Sequence, residues 1–139
     1  MLMPASFLVL LVLGSIALDF GLLHTRQREL EHLADGAAND AASYAVDVGR
    51  LRSAGCVALL PERAAAAAEA SISGSGVRDV QLDAVELQII DDLPAVVVRL
   101  SLDAQLVLAP ALPAAADHKQ LAAEATAVLF DADDDFIPC

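Results

Sequence analysis

The chain changes its hydrophobic pattern three times. Residues 2–18 carry no charge and are dominated by Leu, Val, Ile, Phe and Ala. Carried on through Phe20 and Leu23, and interrupted only by Asp19, this run reaches the roughly 20 residues that a transmembrane helix needs. Pro4 falls in the first turn, where its missing N–H costs nothing. From residue 22 to residue 52 the pattern turns amphipathic. Leu23, Leu30, Leu33, Ala37, Ala41, Tyr44, Val48 and Leu51 recur at three, four or seven residues, the stripe of a helix with one covered face. The intervening Arg, Gln, Glu and Ala are good helix formers. The apolar run and the stripe are therefore expected to form one rod on the order of 70 Å long at about 1.5 Å per residue.

The third pattern is alternation. Gly49 and the Ser53–Ala54–Gly55 step weaken the first helix, so its soluble part is expected over 24–53. Pro61 then opens a second helix over 61–72, with Glu62 in the first turn where the helix dipole favours it. The SGSG stretch at 73–76 reads as a loop and the clearest boundary in the chain. Val80, Leu82 and Ala84 alternate with polar residues, and Val85, Leu87 and Ile89 continue in the opposite phase. That slip near Asp83 predicts a bulge or a break between two strands. The DDLP stretch at 91–94 predicts a hairpin turn. Val96, Val98, Leu100, Leu102, Ala104, Leu106 and Leu108 then share one face, with Val97, Arg99, Ser101, Asp103, Gln105 and Val107 on the other: a half-buried antiparallel strand. Residues 109–117 read as a loop, a third strand starts at about Ala122, and 131–139 form an acidic tail. The expected fold is α+β: a membrane helix over 1–23, then a domain over 24–139 in which helices cover a three- to four-stranded meander at about 77–130. A sheet this small with one apolar face needs a cover. The small side chains of Ala34, Ala37, Ala38, Ala41, Ala42 and Ala45 suit a close one. Toward the C-terminal half that partner is expected to be the domain's own sheet. In the membrane-proximal half, neighbouring helices of an assembly fit as well.

Two further points concern the membrane. A cleaved secretory signal competes with a retained anchor, since Ser15–Ile16–Ala17 resembles a cleavage site, but no basic residue precedes the apolar run. Arg26 and Arg28 follow the span, and by the positive-inside rule alone they place the C-terminal part in the cytoplasm; a basic leader upstream of Met1 reverses that. Asp19 either reaches the interface or pairs with a cation on a neighbouring subunit, because ionisable groups in a bilayer are expensive.

Charge and composition then remove whole classes of function. The net charge is −12 and the pI near 4.3, a surface that repels phosphate backbones. There is no Trp and one Tyr to stack bases, so no nucleic-acid partner is expected. His24, His32 and His118 complete no ligand set, and they read as solvated histidines. The DADDD run at 131–135 lacks the central Gly and distal Glu of an EF-hand and reads as a solvated tail. Neither a nucleophile elbow nor a phosphate loop occurs. The expectation is a non-enzyme with no cofactor and no small-molecule substrate. Cys56 and Cys139 have no metal spacing; a disulfide between them is open if the domain lies outside the cytoplasm.

A membrane helix running on into an arginine- and alanine-rich helix, followed by a small sheet, resembles a pilin or pseudopilin. The likeness sharpens at ALDFGLLHTRQRELEHLADGAANDAASYAVD, residues 17–47, which resembles TadE/TadG-like proteins of tight-adherence (Flp) pilus systems, actinobacterial members especially. Asp19, Arg26, Arg28, Leu30 and the alanines of 34–42 match the arrangement, over roughly the first 50 residues. The resemblance implies an extracytoplasmic C-terminal domain, a minor-pilin or assembly role, and partners among other pilin-like subunits and the assembly machinery. It also implies a prepilin peptidase site after a Gly with an acidic residue at the fifth mature position. Gly14 and Asp19 have that spacing, but a cut there destroys the apolar span, so the site is expected upstream of Met1. The competing expectation is a bitopic envelope protein whose acidic domain binds a protein partner unconnected with pili.

Overall fold

The structure, a computed structural model, describes residues 3–106, 118–129 and 137–139. The expected loop at 109–117, the end of the alternating run at 107–108 and most of the acidic tail, 130–136, lie outside the described residues. The fold is α+β. Helix α1 (Met3–Ala45) leads into α2 (Val48–Ala54), β1 (Cys56–Val57) and α3 (Pro61–Gly74). The strands β2 (Val80–Ile90), β3 (Leu93–Gln105) and β4 (His118–Val128) form an antiparallel sheet in that order. A last strand, β5 (Ile137–Pro138), runs parallel to β1.

Apolar run and amphipathic stripe are indeed one helix, 43 residues long and about 65 Å by its rise per residue. It stops sooner than its composition suggests. The Ala45 carbonyl accepts from Leu60 N at 2.8 Å, and Asp47 N donates to Ala58 O at 2.9 Å. Backbone groups that would continue the helix are thus spent on the segment after β1. The Asp47 carboxylate then caps a separate helix, accepting from Gly49 N at 2.9 Å and Arg50 N at 3.2 Å. Gly55, at φ 67°, ends α2 in the left-handed conformation that glycine adopts at least cost. The expected continuous helix over 24–53 is therefore two helices, and the stripe fails at its end. Tyr44 is 71% exposed, and Val48 and Leu51 belong to α2. The second helix keeps its Pro61 start and runs two residues further than expected, to Gly74.

The sheet follows the alternation closely. A register shift between Leu82 and Ala84 is the bulge that the phase slip foretold. It turns Val80 and Leu82 before it, and Val85 and Leu87 after it, onto the same packed face. Asp91 and Asp92, both at positive φ, make a two-residue hairpin turn between Ile90 and Leu93, the geometry that matches strand twist. On β3, Val96, Val98, Leu100, Leu102 and Ala104 are all buried, and Leu121, Ala123, Ala125 and Ala127 of β4 join them. β4 starts at His118, four residues before the expected Ala122. The opposite face of β3 is drier than expected: Val97 and Ser101 are buried too. A central strand has neighbours on both sides, and Val97 lies in register between Glu86 and Thr126, which flank it.

All six alanines from Ala34 to Ala45 are buried, against the sheet and against Ala64 and Ala68 of α3. Methyl groups let the backbones of α1 and α3 approach closely. The alanine patch is thus fully used inside the domain, in its membrane-proximal half as well. The expectation that part of it faces neighbouring helices is corrected.

Candidate functional site

Helix α1 has two unlike halves. Across residues 6–22 every side chain is exposed except Ser15 and Asp19, which are half-buried. The exposed set includes Phe7, Leu8, Leu10, Leu11, Leu18 and Phe20, at 58–67%. Packing begins with Leu23, and Leu30 is the first fully buried residue. The uncovered length among the described side chains, residues 6–22, is about 25 Å, close to the thickness of a bilayer's hydrocarbon core. The helix is long and apolar enough to cross a membrane, and none of its most apolar window is buried.

A cleft of about 670 Å³ opens where the domain meets this bare segment. Its lining comes from four elements: α1, β2 with the turn before it, β3 and β4. Asp19, Leu22, Leu23 and Arg26 descend from α1, while Arg78 and Asp79 come from the turn before β2. Asp103 and Ala104 lie near the end of β3, and His118 opens β4. Asp19 therefore lies at the foot of the domain, one helical turn below Leu23, and not deep in the apolar run. Arg26 lines the same cleft while its Nη1 donates to Glu29 at 3.1 Å. Arg28 is exposed and lies outside the cleft lining. Asp79 holds a φ of 65°, unusual for a residue with a Cβ. Arg78 and Asp79 are residues that sequence reasoning did not single out, while Asp103 stood only on the polar face of the alternating run and His118 only as a solvated histidine.

The outer face of the sheet carries a second polar group. Arg99 Nε donates to Glu124 on β4 and its Nη1 donates to Glu86 on β2 at 2.9 Å, so one guanidinium ties all three strands. The hydrogen bond to Glu124, then the charges of Glu86 and Glu124, raise its pKa above the ordinary arginine value. Asp83, the residue left over by the bulge, accepts from Ser101 Oγ at 2.9 Å. These partners follow from register, which the sequence pattern alone does not number.

At the far end of the domain Cys56 and Cys139 form a disulfide across 83 residues of chain, with Cα atoms 5.1 Å apart, inside the bridging range. Cys139 N also donates to Val57 O at 3.1 Å, beside the β1–β5 pair. Among the described residues no cluster of His, Cys, Asp or Glu could hold a metal ion. His24 and His32 stand exposed on α1. Comparison with known proteins adds no relative: no family model, curated protein or solved structure matches this chain.

Proposed function

We propose that this chain is a membrane-anchored, pilin-like structural subunit of a tight-adherence (Flp) pilus or related secretion assembly, of the TadE/TadG-like kind, with its domain outside the cytoplasm. The observation that carries the reading is α1 itself. It is one unbroken helix, bare and apolar for close to a bilayer's thickness and then wrapped by its own small sheet. That division of labour is the one a pilin needs. One half of the rod is available to lipid or to like helices, and the other presents a domain at a fixed height.

The orientation rests on the disulfide. Such bonds form and persist in oxidising compartments, and this one ties the C-terminus to the residue just after α2. Arg26 and Arg28 argue the other way. That rule weighs both flanks of a span, whereas a disulfide depends only on where the domain is. Protease added to intact cells tests this part: digestion of the domain before lysis is the expected result, and digestion only after lysis removes the reading.

The assembly role rests on the resemblance of residues 17–47 and on Asp19, at the foot of the domain. A carboxylate there can neutralise a terminal amine or an arginine of a neighbouring subunit once lipid is displaced. Asp19→Ala is expected to insert into membranes normally and to lower pilus output. Unchanged pilus output from that variant leaves the competing reading, an envelope protein whose acidic domain docks an unrelated partner.

A further inference from the structure

The cleft at the foot of the domain has a mixed charge that no packing role requires. Two arginines line it from separate elements, Arg26 from α1 and Arg78 from the turn before β2. Arg26 is shared with Glu29. Among the described residues Arg78 has no ion-pair partner, and it is exposed. Three carboxylates, Asp19, Asp79 and Asp103, line the same space, with His118 Nδ1 3.8 Å from Asp103 Oδ1, beside apolar lining that includes Leu22, Leu23 and Leu102. Leu18, Phe20 and Leu22 stand 52–67% exposed just below. The cleft therefore sits at the level where the helix passes from apolar to polar surroundings. Its volume falls within the range of small-molecule sites.

We infer that this cleft holds the headgroup of a phospholipid bearing a primary amine, its phosphate on Arg78 and Arg26 and its ammonium among the carboxylates. The inference rests on the membrane-anchor half of the proposed function and is independent of any pilus. The charge count selects the headgroup. Among the described residues, three carboxylates against two guanidiniums, with His118 beside Asp103, oppose a headgroup with only negative charge. A zwitterion places each of its charges opposite an unlike one. A primary ammonium has three N–H donors to offer the aspartates; a trimethylated one has none. Arginine suits the phosphate because its planar fork binds two oxygens at once. The leucine lining continues down to the bare helix, where the acyl chains would lie.

Native mass spectrometry of the full chain in detergent micelles tests this directly, with phosphatidylethanolamine, phosphatidylcholine or phosphatidylglycerol added in equal amounts. The expected result is one phosphatidylethanolamine retained per chain, at least five-fold in excess of either other lipid. Arg78→Gln and, separately, Asp103→Asn each lower that retention five-fold or more with the disulfide and helix content intact. Equal retention of the three lipids overturns the inference, as does full retention by both variants. Soluble phosphoethanolamine supplies a further arm: displacement of the lipid at equal concentration shows a free headgroup site and overturns the lipid assignment. A chain that stays in solution without detergent refutes the anchor itself. One that needs detergent but shows no lipid preference refutes only the cleft's role.

Discussion

The two halves of α1 invert the usual relation between size and burial. Its largest apolar side chains, Phe7 through Phe20, stand 38–67% exposed, while the residues packed to 0–5% exposure are six alanines and Leu30. On the proposed membrane reading, the bare half needs only enough apolar surface for lipid, which flows around any shape, so Leu, Val and Phe crowd there in no strict period. The covered half faces a sheet and a second helix with fixed shapes. What counts there is how closely backbones approach, and methyl groups allow the closest contact short of glycine. Hydrophobicity alone therefore ranks the two halves in the wrong order for packing, and shape restores the order.

Substitutions separate the halves, and their effects fall in a sequence. Leu30→Ala removes the largest fully buried side chain of the covered half, and is expected to cost about 2–5 kcal/mol in denaturant unfolding of the domain. The same change at Leu10 or Leu11, both more than half exposed, should leave domain unfolding unmoved and weaken only membrane partition. Equal losses at both places would erase the contrast. Cys56→Ser opens the 83-residue loop and is expected to cost about 2–4 kcal/mol, chiefly by freeing the unfolded chain. Because the bond lies at the end of the domain remote from the bare segment, that variant should still fractionate with membranes.

Ala41→Leu sharpens the shape argument. Ala41 is fully buried between α1, the sheet and α3, so extra carbon atoms should destabilise by about 1–3 kcal/mol although the residue becomes more hydrophobic. A stabilised domain would mean that the covered half is limited by apolar area after all. Arg99→Gln should have the smallest effect, because its carboxylate partners are exposed and such pairs are screened. Its raised pKa means that the arginine's contribution is fully present below the ordinary arginine range and is lost only as pH rises through the folded value. Alkaline titration to pH 11 should therefore leave the Arg99-dependent difference between wild type and variant unchanged in thermal melts.

The same contrast explains how much of the molecule is legible in the sequence. Period-two alternation numbers the faces of β2 and β3, and its slip at Asp83 locates the bulge, because one extra residue necessarily inverts the phase. The DDLP turn is legible because few residues tolerate the left-handed region. The break after Ala45 is not legible, since good helix formers stand on both sides. What ends α1 is a pair of hydrogen bonds to residues 58 and 60, remote in sequence. Burial of Val97 and the Arg99 bridge need the register of three strands. The cleft needs four elements at once. Asp19 and Arg26 draw attention as charges beside an apolar run, whereas Arg78 and Asp103 look like ordinary surface residues until the fold brings them to the foot of the domain.

The division of α1 is open to a direct measurement. Both native cysteines are paired, so single cysteines introduced from residue 8 to residue 32 can carry spin labels in the full chain reconstituted in bilayers. Collision rates with oxygen and with a water-soluble nickel chelate then report depth. The account predicts oxygen-rich, nickel-poor sites through residue 18, a crossover between Asp19 and Arg26, and beyond it the 3.6-residue rhythm of a helix packed on one side. Nickel accessibility at Leu10 and Leu11 equal to that at Arg28 would contradict it.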